Sequence, residues 1–137
     1  MNSKGIINIE ILISLMLFIM ICLLLSSLAM QEYTSIDETQ NRKESRIIVS
    51  DISDIINRVY QNGDGYSITY KLPPKINKET YVLKINDTGV YINSHYQLSY
   101  SKIFVSNILK QKQYYLAPGN VYEFINNNNS IEIIQNT

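Results

Sequence analysis

The sequence predicts an α+β protein. One long N-terminal helix, apolar in its first half and amphipathic in its second, packs on a small antiparallel β-sheet head of four to five strands. Three observations predict it. Residues 11–30 form a run of twenty without a charge. Neither Gly nor Pro occurs between residues 6 and 62, so nothing in that stretch breaks a helix. From Tyr66 onward the apolar residues recur at period 2 instead of 3.6, the change from helix to strand.

The apolar run comes first. Twenty residues at ~1.5 Å rise span about 30 Å, the hydrocarbon thickness of a bilayer. A chain of 137 residues cannot easily bury a helix that is apolar on every side, so the segment reads as a membrane element. Lys4, with no other charge before Glu10, places the N-terminus inside the cell and the chain from Gln31 onward outside. Hydropathy leaves two ordinary readings. One is a secretory signal peptide cut after Ser27-Leu28-Ala29, and the other is a plain single-pass anchor. Neither explains Glu10, since a charge in the hydrocarbon costs roughly 2.5–3.5 kcal/mol on insertion scales.

Lys4-Gly5-Ile6-Ile7-Asn8-Ile9-Glu10 has a basic residue, a glycine, four mostly apolar residues and an acid, followed by the membrane run. This order resembles the class III signal of type IV pilins and pseudopilins. The resemblance implies that a prepilin peptidase cuts between Gly5 and Ile6, making Glu10 the fifth residue of the mature chain. It also implies that the apolar helix stays in the mature protein and assembles with other pilin-like subunits through a membrane assembly platform. Glu10 would neutralise the new α-ammonium on Ile6, or that of a neighbouring subunit, and set the register. The match covers residues 4–30. It departs from the family pattern at Ile6, where Phe or Met is common, at Ile7-Asn8-Ile9, and at Ser26-Ser27, where many pilins have a proline. The resemblance divides the chain into a leader at 1–5, a membrane and filament-core helix at 6–30, its amphipathic continuation at 31–62 and an extracellular head at 63–137.

Beyond the run, Ile48, Ile52, Ile55 and Val59 form a helical stripe, widened by Ile47 and Ile56, with Asp51, Asp54, Asn57 and Arg58 opposite. Residues 31–46 have little apolar face, and Asn62-Gly63-Asp64-Gly65 ends the helix. In the head, Tyr66, Ile68, Tyr70 and Leu72 alternate with polar residues until Pro73-Pro74. Residues 81–85 and 90–92 flank Asn86-Asp87-Thr88-Gly89, a hairpin signal. Tyr96, Leu98 and Tyr100 alternate in a further strand. Residues 121–125 and 131–134 flank an asparagine run that signals a second hairpin. Residues 103–113 read as an irregular connector.

Composition narrows the chemistry. Net charge is zero, which predicts no nucleic-acid binding, although residues 63–137 hold seven lysines against five acids. Cys22, the only cysteine, lies in the apolar run, so the head has no disulfide. His95 is the only histidine, and no nucleophile elbow, zinc spacing or phosphate loop accompanies it. The expectation is a structural protein, not an enzyme, with no cofactor, and the small head favours a minor or initiating subunit. Nine of eleven tyrosines fall in residues 66–122. They suit a half-buried sheet, and a second reading makes some of them an adhesive aromatic patch. Asn86-Asp87-Thr88 and Asn128-Asn129-Ser130 are candidate N-glycosylation triplets at hairpin turns. The reading from another class is a secreted or single-pass membrane-anchored β-rich binding module of the cell surface.

Overall fold

A computed structural model describes residues 3–94 and 97–136. Helix α1 spans Ser3–Gln61, 59 residues, and seven strands follow. They are β1 (Ser67–Lys71), β2 (Val82–Asn86), β3 (Gly89–Ser94), β4 (Gln97–Lys102), β5 (Gln113–Leu116), β6 (Val121–Asn127) and β7 (Ser130–Asn136). The chain divides into two compact units, Met1–Glu38 and Thr39–Thr137.

The described residues of the first unit are all helix, and the helix continues through residues 31–46 despite their sparse apolar face. Ser26, which interrupts the apolar run, donates its hydroxyl to the Cys22 carbonyl at 2.8 Å. That bond satisfies the polar group inside the helix, as an apolar surrounding requires.

In the second unit the helix carries its apolar face onto the strands. Ile48, Val49, Ile52, Ile55, Ile56 and Val59 are buried, as the stripe predicts. Two helix positions differ from expectation. Ile47 is 51% exposed, because it falls on the helix face of Asp51, Asp54 and Arg58 (i+4, i+7 and i+11). Asn57, expected on that polar face, is buried, and its Oδ1 accepts the Phe104 N–H at 3.1 Å.

The strands form an antiparallel α+β head, in two sheets where the sequence suggested one of four to five strands. Sheet order is β1-β6-β7 in the first and β4-β3-β2-β5 in the second. The division arises after Pro73-Pro74. There Asn77 and Lys78 take left-handed backbone (φ 43° and 70°) between the paired residues Ile76 and Glu79, and the chain reverses away from β1. Strand β5, which the sequence did not suggest, begins where the irregular connector was expected to end, and it pairs with β2 through Leu83↔Leu116 to Asn86↔Gln113. Both predicted hairpins form. Asn128 and Asn129 have φ of 54° and 60°, the double left-handed geometry of a type I′ turn between Asn127 and Ser130.

Both sheets and the helix enclose one core. Leu83, Ile85, Val90 and Ile92 come from the second sheet, and Tyr122, Phe124 and Ile131 from the first. Polar pins cross the layers. Ser53 Oγ lies 2.7 Å from Ser101 Oγ on β4, and Glu44 Oε2 accepts the Asn77 N–H at 2.8 Å. At the helix C-terminus, the amide of the fully buried Asn126 donates to the carbonyls of Val59 and Tyr60 (3.2 and 3.3 Å). The last carbonyls of a helix have no partner within it; Asn126 ties β6 to this terminus, sharing the Tyr60 carbonyl with the Gly63 N–H (3.3 Å).

Candidate functional site

Two surfaces stand out, one in each unit. On the first, every large apolar side chain described between Ile9 and Met30 is more than half exposed. Burying one such residue is worth about 1.5–3 kcal/mol, so a whole helix of them in water is strongly unfavourable. The helix is long and apolar enough to cross a membrane. Glu10 stands exposed at the front of this surface, and the next charge in the chain is Glu32. Lys4, Gly5 and Ile6 lie in the opening turn of α1, and the Gly5–Ile6 bond lies within the helix. The first four N–H groups of a helix have no intrahelical partner, so this turn opens at low cost.

The second surface is the outward face of the four-stranded sheet. Strand alternation puts Leu83, Ile85, Val90 and Ile92 in the core and turns the intervening residues outward. Register then lays a row across all four strands: Tyr100 opposite Tyr91, Tyr91 opposite Lys84, and Lys84 opposite Tyr115. A neighbouring row holds Leu98, Asn93 and Val82. Between them lies a groove of about 580 Å³, with Asn86 at one end.

The rings in this row are held in place. Those of Tyr91 and Tyr100 lie 4.9 Å apart between centroids at an interplanar angle of 39°. The Tyr100 hydroxyl donates to the Thr88 carbonyl at 2.9 Å, and the Tyr91 hydroxyl lies 2.6 Å from Thr88 Oγ1. Gly89 makes room for them, because a Cβ there would collide with the Ser101 carbonyl and the Tyr100 ring. Lys84 Nζ sits 5.8 Å from the Tyr115 ring centroid, within reach of a cation–π contact. Tyr115 is 61% exposed and Leu98, in the neighbouring row, 68%, so the sheet face presents both ring and aliphatic surface to solvent.

The tyrosines occupy two settings. Tyr81, Tyr114 and Tyr122 are core residues, whereas Tyr91 and Tyr115 line the groove and Tyr100 packs against Tyr91. Burial holds the phenol of Tyr81 well above its usual range, with smaller contributions from Tyr70 and Tyr122. Burial likewise raises Tyr70, whose hydroxyl donates to Asp51 (3.4 Å).

The two glycosylation triplets differ in setting. Asn86 Oδ1 accepts from the N–H groups of Thr88 and Gly89 and from Thr88 Oγ1, so that side chain serves the turn and the groove. Asn128 is exposed, and its backbone N–H donates to Asp64 Oδ1 at 2.6 Å. His95 lies outside the described residues. No group of three or more metal-ligating side chains occurs among the described residues.

The groove was only partly visible in the sequence. Its outward tyrosines and Lys84 share strand parity, but which strands are neighbours depends on pairing across the chain. No protein-family model, curated protein or solved structure matches this chain.

Proposed function

We propose that the chain is a structural, non-catalytic subunit of a type IV pilus-like or pseudopilus-like filament. It is inserted in the membrane by α1, cut between Gly5 and Ile6 by a prepilin peptidase, and assembled through the apolar surface of residues 6–30. The head faces outside, first at the membrane and then on the filament. The observation that carries this reading is Glu10. It is the one charge in the stretch 5–31, five residues after a glycine, at the front of the part of α1 whose large apolar side chains from Ile9 to Met30 are all exposed.

The chemistry is electrostatic. Cleavage leaves an α-ammonium on Ile6, one helical turn from the Glu10 carboxylate. An unpaired charge is costly in low dielectric, and an opposite charge at close range recovers much of that cost. An acid near a helix N-terminus gains a further ~0.3–1 kcal/mol from the macrodipole. If the partner ammonium belongs to a neighbouring subunit, the pair selects one axial register among many that apolar packing alone would tolerate. The small head without a disulfide favours a minor or initiating subunit.

Glu10→Gln keeps the size of the side chain and removes its charge. The expected outcome is normal membrane insertion with filament incorporation reduced at least about tenfold, equivalent to ~1.4 kcal/mol, read from sheared surface fractions against the membrane fraction. Undiminished incorporation of Glu10→Gln would remove the register role. The groove on the second sheet favours a second reading, a β-rich binding module anchored or exported by the same helix.

A further inference from the structure

We infer that the groove on the outward face of the β4-β3-β2-β5 sheet is a binding site for a carboxylate-bearing polysaccharide. Its lining combines the three elements such a ligand needs. Tyr115, 61% exposed and with Lys84 Nζ 5.8 Å from its ring centroid, offers ring surface on which a sugar ring's C–H face packs, and the half-buried Tyr91, braced by Tyr100 and Thr88, offers more across Lys84. The amide of Asn93, on an exposed position, and the NH2 of Asn86 supply hydrogen bonds to hydroxyls, while Asn86 Oδ1 is held by the turn and fixes the orientation of that amide. Lys84 is the one cation among the lining residues, which include no acid.

Charge decides among the occupants. A nucleic-acid strand carries one phosphate per nucleotide and is gripped by several lysines or arginines in a row. This face offers Lys84 in the groove and Lys102 in the adjacent row, opposite Gly89. One or two cations suit a chain with widely spaced carboxylates. A second copy of this net-neutral chain gains nothing from Lys84, and an amphipathic helix would need a groove more apolar than one lined by two asparagines and a lysine. The surplus of two lysines over acids in residues 63–137 adds attraction for an anionic polymer. The volume of about 580 Å³ lies in the ordinary range of small-ligand sites. This inference stands independently of whether the Gly5–Ile6 bond is cut.

The test uses the full chain in lipid nanodiscs, titrated with an oligouronate tetrasaccharide, the neutral cellotetraose and an oligothymidylate, with intrinsic tyrosine fluorescence and calorimetry as readouts. Saturable binding of the oligouronate, tighter than that of cellotetraose and weakened by salt, is expected. Tyr115→Ala is expected to weaken both saccharides about tenfold. Lys84→Gln is expected to weaken the oligouronate about fivefold and to leave cellotetraose unchanged. Tyr66→Ala, on the other side of the head's strand order, should change neither, and melting curves verify that each variant folds. Absence of saturable oligouronate binding overturns the proposal, as does equal affinity for the two tetrasaccharides. Tighter binding of oligothymidylate reassigns the groove to a nucleic acid. Self-association of the chain that Leu98→Ser abolishes, with saccharides inert, reassigns it to a second copy.

Discussion

Single residues at the helix–sheet junction and in the core make the sharpest predictions about the head. Asn126 places an NH2 against two helix-terminal carbonyls in a fully buried position. Asn126→Asp replaces that donor with an oxygen facing two oxygens, and the expected loss is about 3 kcal/mol at neutral pH. The loss should shrink in acid, where the carboxyl is protonated and donates again; denaturant melts at two pH values check both statements. Tyr81 makes the opposite kind of prediction. Its hydroxyl donates to the Pro73 carbonyl at 2.7 Å, and burial raises its phenol above the ordinary value of 10.0. The folded state therefore holds a proton that the unfolded chain releases near that value. Stability from this group is complete below it and is lost as pH rises toward the folded value. Tyr81→Phe should cost about 1 kcal/mol at neutral pH and flatten the alkaline fall in stability, as read from melts in steps above and below pH ~10.

The helix and its strands explain what was legible. The Ile48, Ile52, Ile55 and Val59 stripe needs only the 3.6 period to be seen, and it is buried throughout. Ile47 was drawn into it by hydropathy, although the same period sets it beside Asp51 and Asp54. Ile56→Ala is accordingly expected to cost about 2–5 kcal/mol and Ile47→Ala no more than about 0.5 kcal/mol, compared by chemical denaturation. Asn57 departs for the converse reason: its polarity argues for water, but the Phe104 N–H that its Oδ1 accepts comes from a segment 47 positions away. Hairpins were legible because their turns are local. The two-sheet division was not, since β1 pairs with β6 from Lys71↔Val121 to Ser67↔Ile125, partners 50 to 58 positions apart, and no local signal announces them. Gly89 belongs here too. Gly89→Ala forces its Cβ into the Ser101 carbonyl and the Tyr100 ring, so it should destabilise the head by about 1–3 kcal/mol and loosen the β3–β4 side of the groove.

At the scale of the whole chain, two units carry different physics on one covalent helix. Residues 9–36 expose a run of apolar side chains on a helix long and apolar enough to cross a membrane, while the second unit, Thr39–Thr137, buries its own core. Composition revealed this contrast, because a charge-free run and a period-2 region are visible without any long-range information. Glu10 was legible for the same reason, as an acid where hydropathy forbids one. The groove was not, since it depends on strand order. What Glu10 faces depends on where the mature chain begins. Purification of the protein from its native membrane or surface fraction, followed by sequencing of its N-terminus, decides this. The account predicts a chain starting at Ile6. A chain starting at Met30, cut after Ala29, or an uncut chain starting at Met1, would contradict it.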